Sequence, residues 1–375
     1  MPVTVERSTI AFHGGLPDPT LQAQLQQELV DLIGRPQPGI LSYGDPRGDQ
    51  RLRSAIATRM TARAHRPFTP ERIVVSNGSA GGLALVAAAL IAPGDVVVAE
   101  ELTYPGALAI FRDRGARVVP MPLDAGGLDV DALAREILGA GVVPRLVYTI
   151  ADPQSPTGTA LATDRRRRLV ELAERHDFLV VQDDTYGELR YSATVRPLLA
   201  ELGGDRVVHV GSFSKTLAPG LRLGWVAACA DVAAAIARRR LDLGSPVALQ
   251  RAVAALLEDG FDARLAVLGD FYRAKRDELL AALDEHCIGS GTWSVPDAGF
   301  FVWFTPAGAA VDDVVAHGSA AADGGVTFLS ASYFAVDRGH PPGLRLAFGE
   351  LASGDLREGA RRLGRAVEAA GGRRP

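Results

Sequence analysis

The sequence predicts an α/β protein: a large domain built on a mainly parallel, seven-stranded sheet between helices, followed by a smaller α+β domain. Three observations carry this. The chain has 375 residues, more than a single hydrophobic core usually supports, so a second domain is expected. Between roughly residues 70 and 230, short β-branched runs alternate with longer helical patterns, as in successive βα units whose sheet is covered on both faces. Beyond residue 230 the pattern changes to long helices and isolated apolar runs, which belong to a different architecture.

Residues 1–40 contain Gly14-Gly15-Leu16-Pro17-Asp18-Pro19; this turn chemistry reads as an arm or connector. The large domain is expected over 41–245. Its strands are placed at 73–76, 96–99, 117–119, 146–150, 178–181, 207–210 and 223–227, each a short apolar run rich in valine or isoleucine. The helices between them are placed at 79–90, 106–114, 130–138, 163–176 and 196–202. An alanine- and leucine-rich stretch at 230–258 forms one or two helices leading out of this domain. The small domain, 246–375, continues with an amphipathic helix at 262–286, strand-like runs at 300–304, 326–329 and 343–348, and a closing helix at 356–370. No repeats or heptads occur.

Composition excludes several classes of function. A net charge of −4 gives no electrostatic footprint for nucleic acid. Cys229 and Cys287 lie far apart and outside metal-ligand spacing, so neither a disulfide framework nor a metal site is expected, and a reducing cytoplasm fits. Met1 to Ser8 lack a basic segment followed by an apolar one, and no run is long enough to span a bilayer. Neither a signal peptide nor a membrane partner is therefore expected.

Lysine usage is the informative oddity. Of 40 basic residues only Lys215 and Lys275 are lysines. Arginine replaces lysine on surfaces but cannot form a Schiff base, because its guanidinium stays protonated. Lys275 lies in the charged run Arg273-Ala274-Lys275-Arg276-Asp277-Glu278 and reads as part of a solvated helix face. Lys215 lies elsewhere, in a turn after an expected strand.

Ligands of open α/β sheets bind at the carboxyl ends of the strands, and four of these ends are polar. The first runs through Ser76-Asn77-Gly78-Ser79-Ala80 into a helix; amides at a helix start make a cup for phosphate, although Ser79 could equally be a plain N-cap. The second meets Asp152-Pro153-Gln154-Ser155-Pro156-Thr157-Gly158. The third ends in Gln182-Asp183-Asp184-Thr185-Tyr186; an acid closing a buried strand is costly unless it meets a cation or donors. A helix N-cap at Asp184 or Thr185 is the plainer reading there. The fourth ends in Gly211-Ser212-Phe213-Ser214-Lys215 and then Arg222. A phosphate cup, a carboxylate, a lysine and an arginine thus converge on one sheet edge. Pyridoxal-5′-phosphate (PLP) requires all four: donors for its phosphate, an acid for its ring nitrogen, and a lysine for its aldehyde.

The segment Ser212–Gly224, Ser-Phe-Ser-Lys-x-x-Ala-Pro-Gly-x-Arg-x-Gly, resembles the lysine signature of the class I/II aminotransferases, fold-type I PLP enzymes, and the likeness extends over nearly the whole chain. The resemblance implies that Lys215 holds the cofactor and that Asp183 and Tyr186 contact its ring nitrogen and 3′-oxygen. It makes Gly78, Ser79 and Ala80 the phosphate loop, helped by Ser212, Ser214 and Arg222, and it makes Tyr104 the aromatic stacked on the ring. Tyr43 would reach the phosphate in the partner subunit of a homodimer with shared active sites. Arg345 would grip the substrate α-carboxylate, with Gly15 and Ser155 beside it. Ser155 departs from the family's asparagine, which removes an amide donor to the 3′-oxygen. The Gly14–Pro19 turn resembles the 2-aminoadipate aminotransferases and the aminotransferase-like domains of MocR regulators; with no room for a winged helix before Gly14, a DNA-binding role is not expected.

The activity implied is transfer of an amino group between an L-amino acid and a 2-oxo acid, with Lys215, once freed, acting as general base. Elimination, decarboxylation or oxidation on the same scaffold is the alternative, and a non-catalytic PLP-binding sensor is a more distant one.

Overall fold

All seven expected strands form, and successive residues along them alternate between two buried layers. The computed structural model describes residues 9–192, 194–320 and 325–371. Strands β1 (Ile73–Ser76), β2 (Val96–Glu100), β3 (Arg117–Met121), β4 (Leu146–Thr149), β5 (Leu179–Asp183), β6 (Val207–Ser212) and β7 (Gly224–Ala227) make one sheet in the order β1-β7-β6-β5-β4-β2-β3. All neighbours pair in parallel except β7, which is antiparallel to both β1 and β6. Val75, Val98, Val147 and Val180 face one layer, with Leu52, Ile56, Leu169 and Val253 of the helices Gln50–Ala64, Thr163–His176 and Val247–Glu258. Val74, Val97, Leu146 and Val181 face the other, with residues of Gly78–Leu90, Pro105–Asp113 and Ala230–Ala237. Burial on both faces is why these strands read as continuous apolar runs. Because β1 and β6 both oppose β7, the carboxyl ends of β1, β4, β5 and β6 lie along one edge.

A second, four-stranded antiparallel sheet orders Gly291–Trp293, Phe301–Pro306, Leu344–Ala347 and Leu329–Ser330. It shares a core with the helices Phe261–His286, Val311–Ser319 and Ser353–Ala369. Ile10–Ala11 pairs in parallel with Val326–Thr327 and fastens the start of the N-terminal arm to this unit.

Several elements differ from expectation. The helix expected at 196–202 is only Leu199–Gly203, since Pro197 disfavours helical geometry at Arg196. The 230–258 stretch, expected as one or two helices, forms two, divided at Leu243-Gly244, both with positive φ. The 326–329 run splits into two short strands with different partners. Within the first forty residues Gln22–Ile33 is a helix with only Leu25 buried, too thin a stripe to stand out. Gln50–Ala64, also unexpected, buries Leu52, Ile56, Met60 and Ala64 at four-residue spacing and is capped by Asp49. Lys275 is not on a solvated face. The helix turns Leu268, Tyr272, Lys275 and Leu279 inward, and the Lys275 ammonium pairs with Asp18. Among the described residues no helix is long and apolar enough to cross a membrane; Met1–Ser8 lie outside them.

Candidate active site

The strand ends frame a cavity of ≈ 530 Å³. At one end of it, β1 passes through Asn77 into a helix whose cap residue makes no side-chain capping bond. Ser79 is therefore not the N-cap; Ser79 and Ala80 sit in the first turn and line the cavity, where free amides and the helix dipole favour an anion. Gly78, at φ +73°, lets the Arg222 guanidinium approach, for a Cβ there would lie 2.9 Å from Nη2. Arg222 Nη2 donates to the Asn77 carbonyl at 3.1 Å. Gly224 of β7 is equally constrained, with a Cβ 2.7 Å from the Gly78 carbonyl carbon. Ser214 lines the cavity, while Ser212 stands behind it, donating to the Ser214 hydroxyl at 3.0 Å and accepting from the Ser214 amide at 3.2 Å.

Asp183 closes β5, buried, with its carboxylate held from two sides. Tyr148 Oη donates to Oδ2 at 2.9 Å, and the Thr185 amide and hydroxyl donate to Oδ1 at 3.1 and 2.7 Å. Burial pushes its pKa above the usual carboxylate value. Among the described residues no cation pairs with it, and a cationic group in the cavity would suit this carboxylate. No helix follows, and Asp184 pairs with Arg63 at 2.7 Å rather than capping one. Tyr148 was not singled out in the sequence; its signal is one phenol in an otherwise small or aliphatic β4.

Tyr104 precedes the helix Pro105–Asp113, its ring folded over Gly106, where a Cβ would lie 2.4 Å from Cζ. Tyr186 is wedged edge-on between Phe300 and Phe301, with centroids at 5.7 and 5.3 Å, and burial raises its phenol pKa. Ser155 is buried on the cavity wall. Its turn is clamped by Gln154, whose Nε2 donates to Glu100 at 3.1 Å and to the Leu102 carbonyl at 2.6 Å. Burial lifts the Glu100 carboxyl to about 7.

The Lys215 ammonium points into the same space, 5.3 Å from the Tyr186 ring centroid, and donates to the Gly15 carbonyl. Burial, and then the nearby Arg345 charge, lower its pKa to about 8, which makes a neutral amine accessible. Arg345 lies between Phe301 and Phe334, 4.2 and 4.8 Å from their centroids. Its Nη2 donates to the His13 carbonyl at 2.6 Å, and its buried Nε–H has no protein acceptor. Arg345 thus lines a cavity that also holds two further cations, Lys215 and Arg222, and a carboxylate without a cation. The donor set fits PLP together with a substrate carboxylate.

Eleven of the anticipated residues line this one cavity: Gly15, Ser79, Ala80, Tyr104, Ser155, Asp183, Tyr186, Ser214, Lys215, Arg222 and Arg345. Tyr43 does not, and is 88% exposed. The stretch 328–334 also contributes Leu329, Tyr333 and Phe334 to the wall. Residues 243–246 are not in the lining; the Ser245 hydroxyl instead donates to Asn77 Oδ1 at 2.6 Å. His13 and Leu16 were missed as wall residues, their only signal being adjacency to the Gly14–Gly15 turn.

The family model for class I and II aminotransferases matches residues 14–363. Aromatic-amino-acid aminotransferase 1 of Thermococcus litoralis is 35% identical over 96% of this chain and 88% of its own length. The 2-aminoadipate transaminase of Thermus thermophilus is 32% identical over 98% and 92%. The kynurenine aminotransferase of Pyrococcus horikoshii, solved with PMP, superposes with a TM-score of 0.90 at 30% identity, covering 96% of this chain and 91% of that one.

Proposed function

Because the chain belongs to the class I and II aminotransferases, we propose that its cavity works as a transamination site organised by Lys215, Asp183 and Arg345. The protein is a PLP-dependent transaminase acting on an amino acid and a 2-oxo acid. The observation that carries the site assignment is the convergence of the Lys215 amine, the unpaired Asp183 carboxylate and the Arg345 fork on one cavity.

Bound PLP supplies an aldehyde that takes up amino groups and a ring that withdraws electrons from the substrate's α-carbon. The chain supplies everything else. Lys215 would hold the aldehyde and, once released, move a proton at the α-carbon through Nζ, a task suited to an amine lowered to about 8. Asp183 would keep the ring nitrogen protonated, with Tyr148 and Thr185 fixing its carboxylate. The Ser79 and Ala80 amides, the Ser214 hydroxyl braced by Ser212, and Arg222 would hold the phosphate. Tyr104 would cover the ring, and Tyr186 and Ser155 would face its 3′-oxygen. Arg345 would take the α-carboxylate with its planar fork. Leu16, Leu329 and Tyr333 beside it favour L-amino acids with apolar or aromatic side chains.

A homodimer completes the reading: Tyr43, with Leu41 at 94% exposure nearby, is available to reach a partner's phosphate site. The large domain is taken as 41–245 and the small one as 246–375, with 1–40 as arm and connector. The seven-stranded sheet, within 73–227, and the four-stranded sheet, within 291–347, support that division. The two free cysteines support a reducing, cytoplasmic setting. The test is a single turnover of the PLP enzyme with each of a panel of amino acids. Stoichiometric 2-oxo acid and pyridoxamine phosphate support the site assignment when Lys215→Ala abolishes them; ammonia or carbon dioxide as products would favour elimination or decarboxylation.

A further inference from the structure

We propose that Lys275 is a positioning residue for this reaction: its buried ion pair with Asp18 sets the register in which the N-terminal arm lays two backbone carbonyls against Arg345 and Lys215. The proposal rests on the site reading above and adds a residue outside the cavity lining.

Lys275 and Asp18 are 7% and 6% exposed. The ammonium donates to Asp18 Oδ2 and to the Gly349 carbonyl, the latter at 2.9 Å. Asp18 is fixed on its other sides too. Its amide donates to Tyr272 Oη at 2.9 Å, and its Oδ1 accepts from the Thr20 amide and hydroxyl at 2.9 and 2.6 Å. Burial alone would raise the Asp18 pKa, but the hydrogen bonds from Lys275 and Thr20 outweigh it and hold the carboxyl below its usual value. Asp18 is therefore a charged, fully engaged anchor, and Lys275 is its counter-ion.

This anchor is close to the chemistry. Gly15, whose carbonyl accepts from Lys215, is three residues before Asp18, a tether of at most about 11 Å, stiffened by Pro17. His13, whose carbonyl accepts from Arg345, is two residues earlier. On the far side the arm is held by Ile10–Ala11 and by Phe12, whose carbonyl accepts from the Ala347 amide at 3.1 Å. The segment bearing both carbonyls is thus a short span fixed at two ends, and Lys275 holds one of them. It ties that end to the strand carrying Arg345, since Gly349 follows Leu344–Ala347 and a Cβ on Gly349 would lie 2.3 Å from the Leu16 carbonyl oxygen.

The choice of residue supports the inference. The chain uses arginine at 38 of its 40 basic positions, yet keeps lysine here. A compact ammonium can meet a carboxylate and a carbonyl inside a packed helix–strand junction where a planar guanidinium would need more room. A side chain that merely covered surface would have no such requirement.

The test uses the PLP-loaded full chain and three variants: Lys275→Met, Asp18→Asn, and both together. Neutralising one partner strands a buried charge and lowers Tm, whereas removing both charges relieves that cost. If the pair positions the arm, kcat/KM for the amino acid falls roughly ten- to a hundredfold in each variant. It stays low in the double variant even as Tm recovers. The pH at which the bound cofactor's absorbance titrates also shifts, because the carbonyl dipoles of His13 and Gly15 move relative to the cavity. Activity that returns with Tm in the double variant, or kcat/KM within about twofold of wild type in every folded variant, overturns the proposal. Asp18→Asn keeps the side chain's shape and decides the matter if the others fail to fold. Failure of the underlying site reading is distinguishable, since it would appear in the wild type as a protein giving no PLP spectrum to titrate.

Discussion

Replacing Arg345 with lysine keeps a positive charge in the cavity and removes the fork. In the structure Nη2 is occupied by the His13 carbonyl at 2.6 Å, while the buried Nε–H has no protein acceptor. A substrate carboxylate arriving here gains charge-assisted hydrogen bonds that a single ammonium cannot duplicate. Losing one such bond costs about 1.5–3 kcal/mol, so Arg345→Lys should lower kcat/KM by roughly 10- to 150-fold. The aromatic sandwich of Phe301 and Phe334 adds to the loss, since its geometry fits a flat guanidinium. The assay is the half-reaction followed by cofactor absorbance, run in parallel with an amino acid and with the amine that lacks its carboxylate. The amino acid should lose its advantage while the amine is little changed. Equal losses for both substrates would refute the assignment, because a carboxylate clamp cannot act on a substrate without one.

Uptake of PLP by the apo-enzyme should accelerate with pH and level off above about 8, since only the neutral Lys215 amine attacks. Arg345→Met removes a neighbouring positive charge and should move that midpoint upward; a midpoint in the ordinary lysine range in wild type would contradict the geometry. Glu100, raised from 4.5 to about 7, holds a proton in the folded state that the unfolded chain has released across that window. Its contribution to stability is therefore largest below pH 4.5 and falls as pH rises to about 7. Urea unfolding over this range should show that slope flattened by Glu100→Gln, and identical slopes would defeat the expectation. Ser155→Asn adds an amide donor on the cavity wall and should lower the pH at which the bound cofactor's absorbance titrates; no shift would mean that position 155 does not reach the 3′-oxygen.

The sheet is legible in the sequence because its strands are buried on both faces, so runs such as Ile73-Val74-Val75 are apolar without interruption. Lys215 is legible for a chemical reason: lysine is scarce here and this one follows a strand end. Asp183 stands out because an acid that ends a buried strand needs a partner. Lys275 misleads, since four charged neighbours within the run 273–278 hide the inward stripe of Leu268, Tyr272 and Leu279, and its partner is 257 residues away. Arg345 is recognisable only through family resemblance, because Leu344 and Leu346 beside it announce a strand and nothing more. Beyond Gly15, which the resemblance sets beside Arg345, the arm's contacts with the site do not show in the sequence, because they are made by the backbone carbonyls of His13 and Gly15, which every residue possesses. Gln50–Ala64 is missed because arginines and polar residues dilute a stripe that tertiary packing makes decisive.

Because the chain has two lysines, one measurement reaches the centre of the matter. The protein is incubated with PLP, reduced with borohydride, digested, and its peptides are weighed. The phosphopyridoxyl group is expected on Lys215 alone, and Lys215→Ala should then trap none. A modified Lys275, or a Lys215 peptide of unaltered mass after reduction, would contradict the assignment of that amine as the cofactor's anchor.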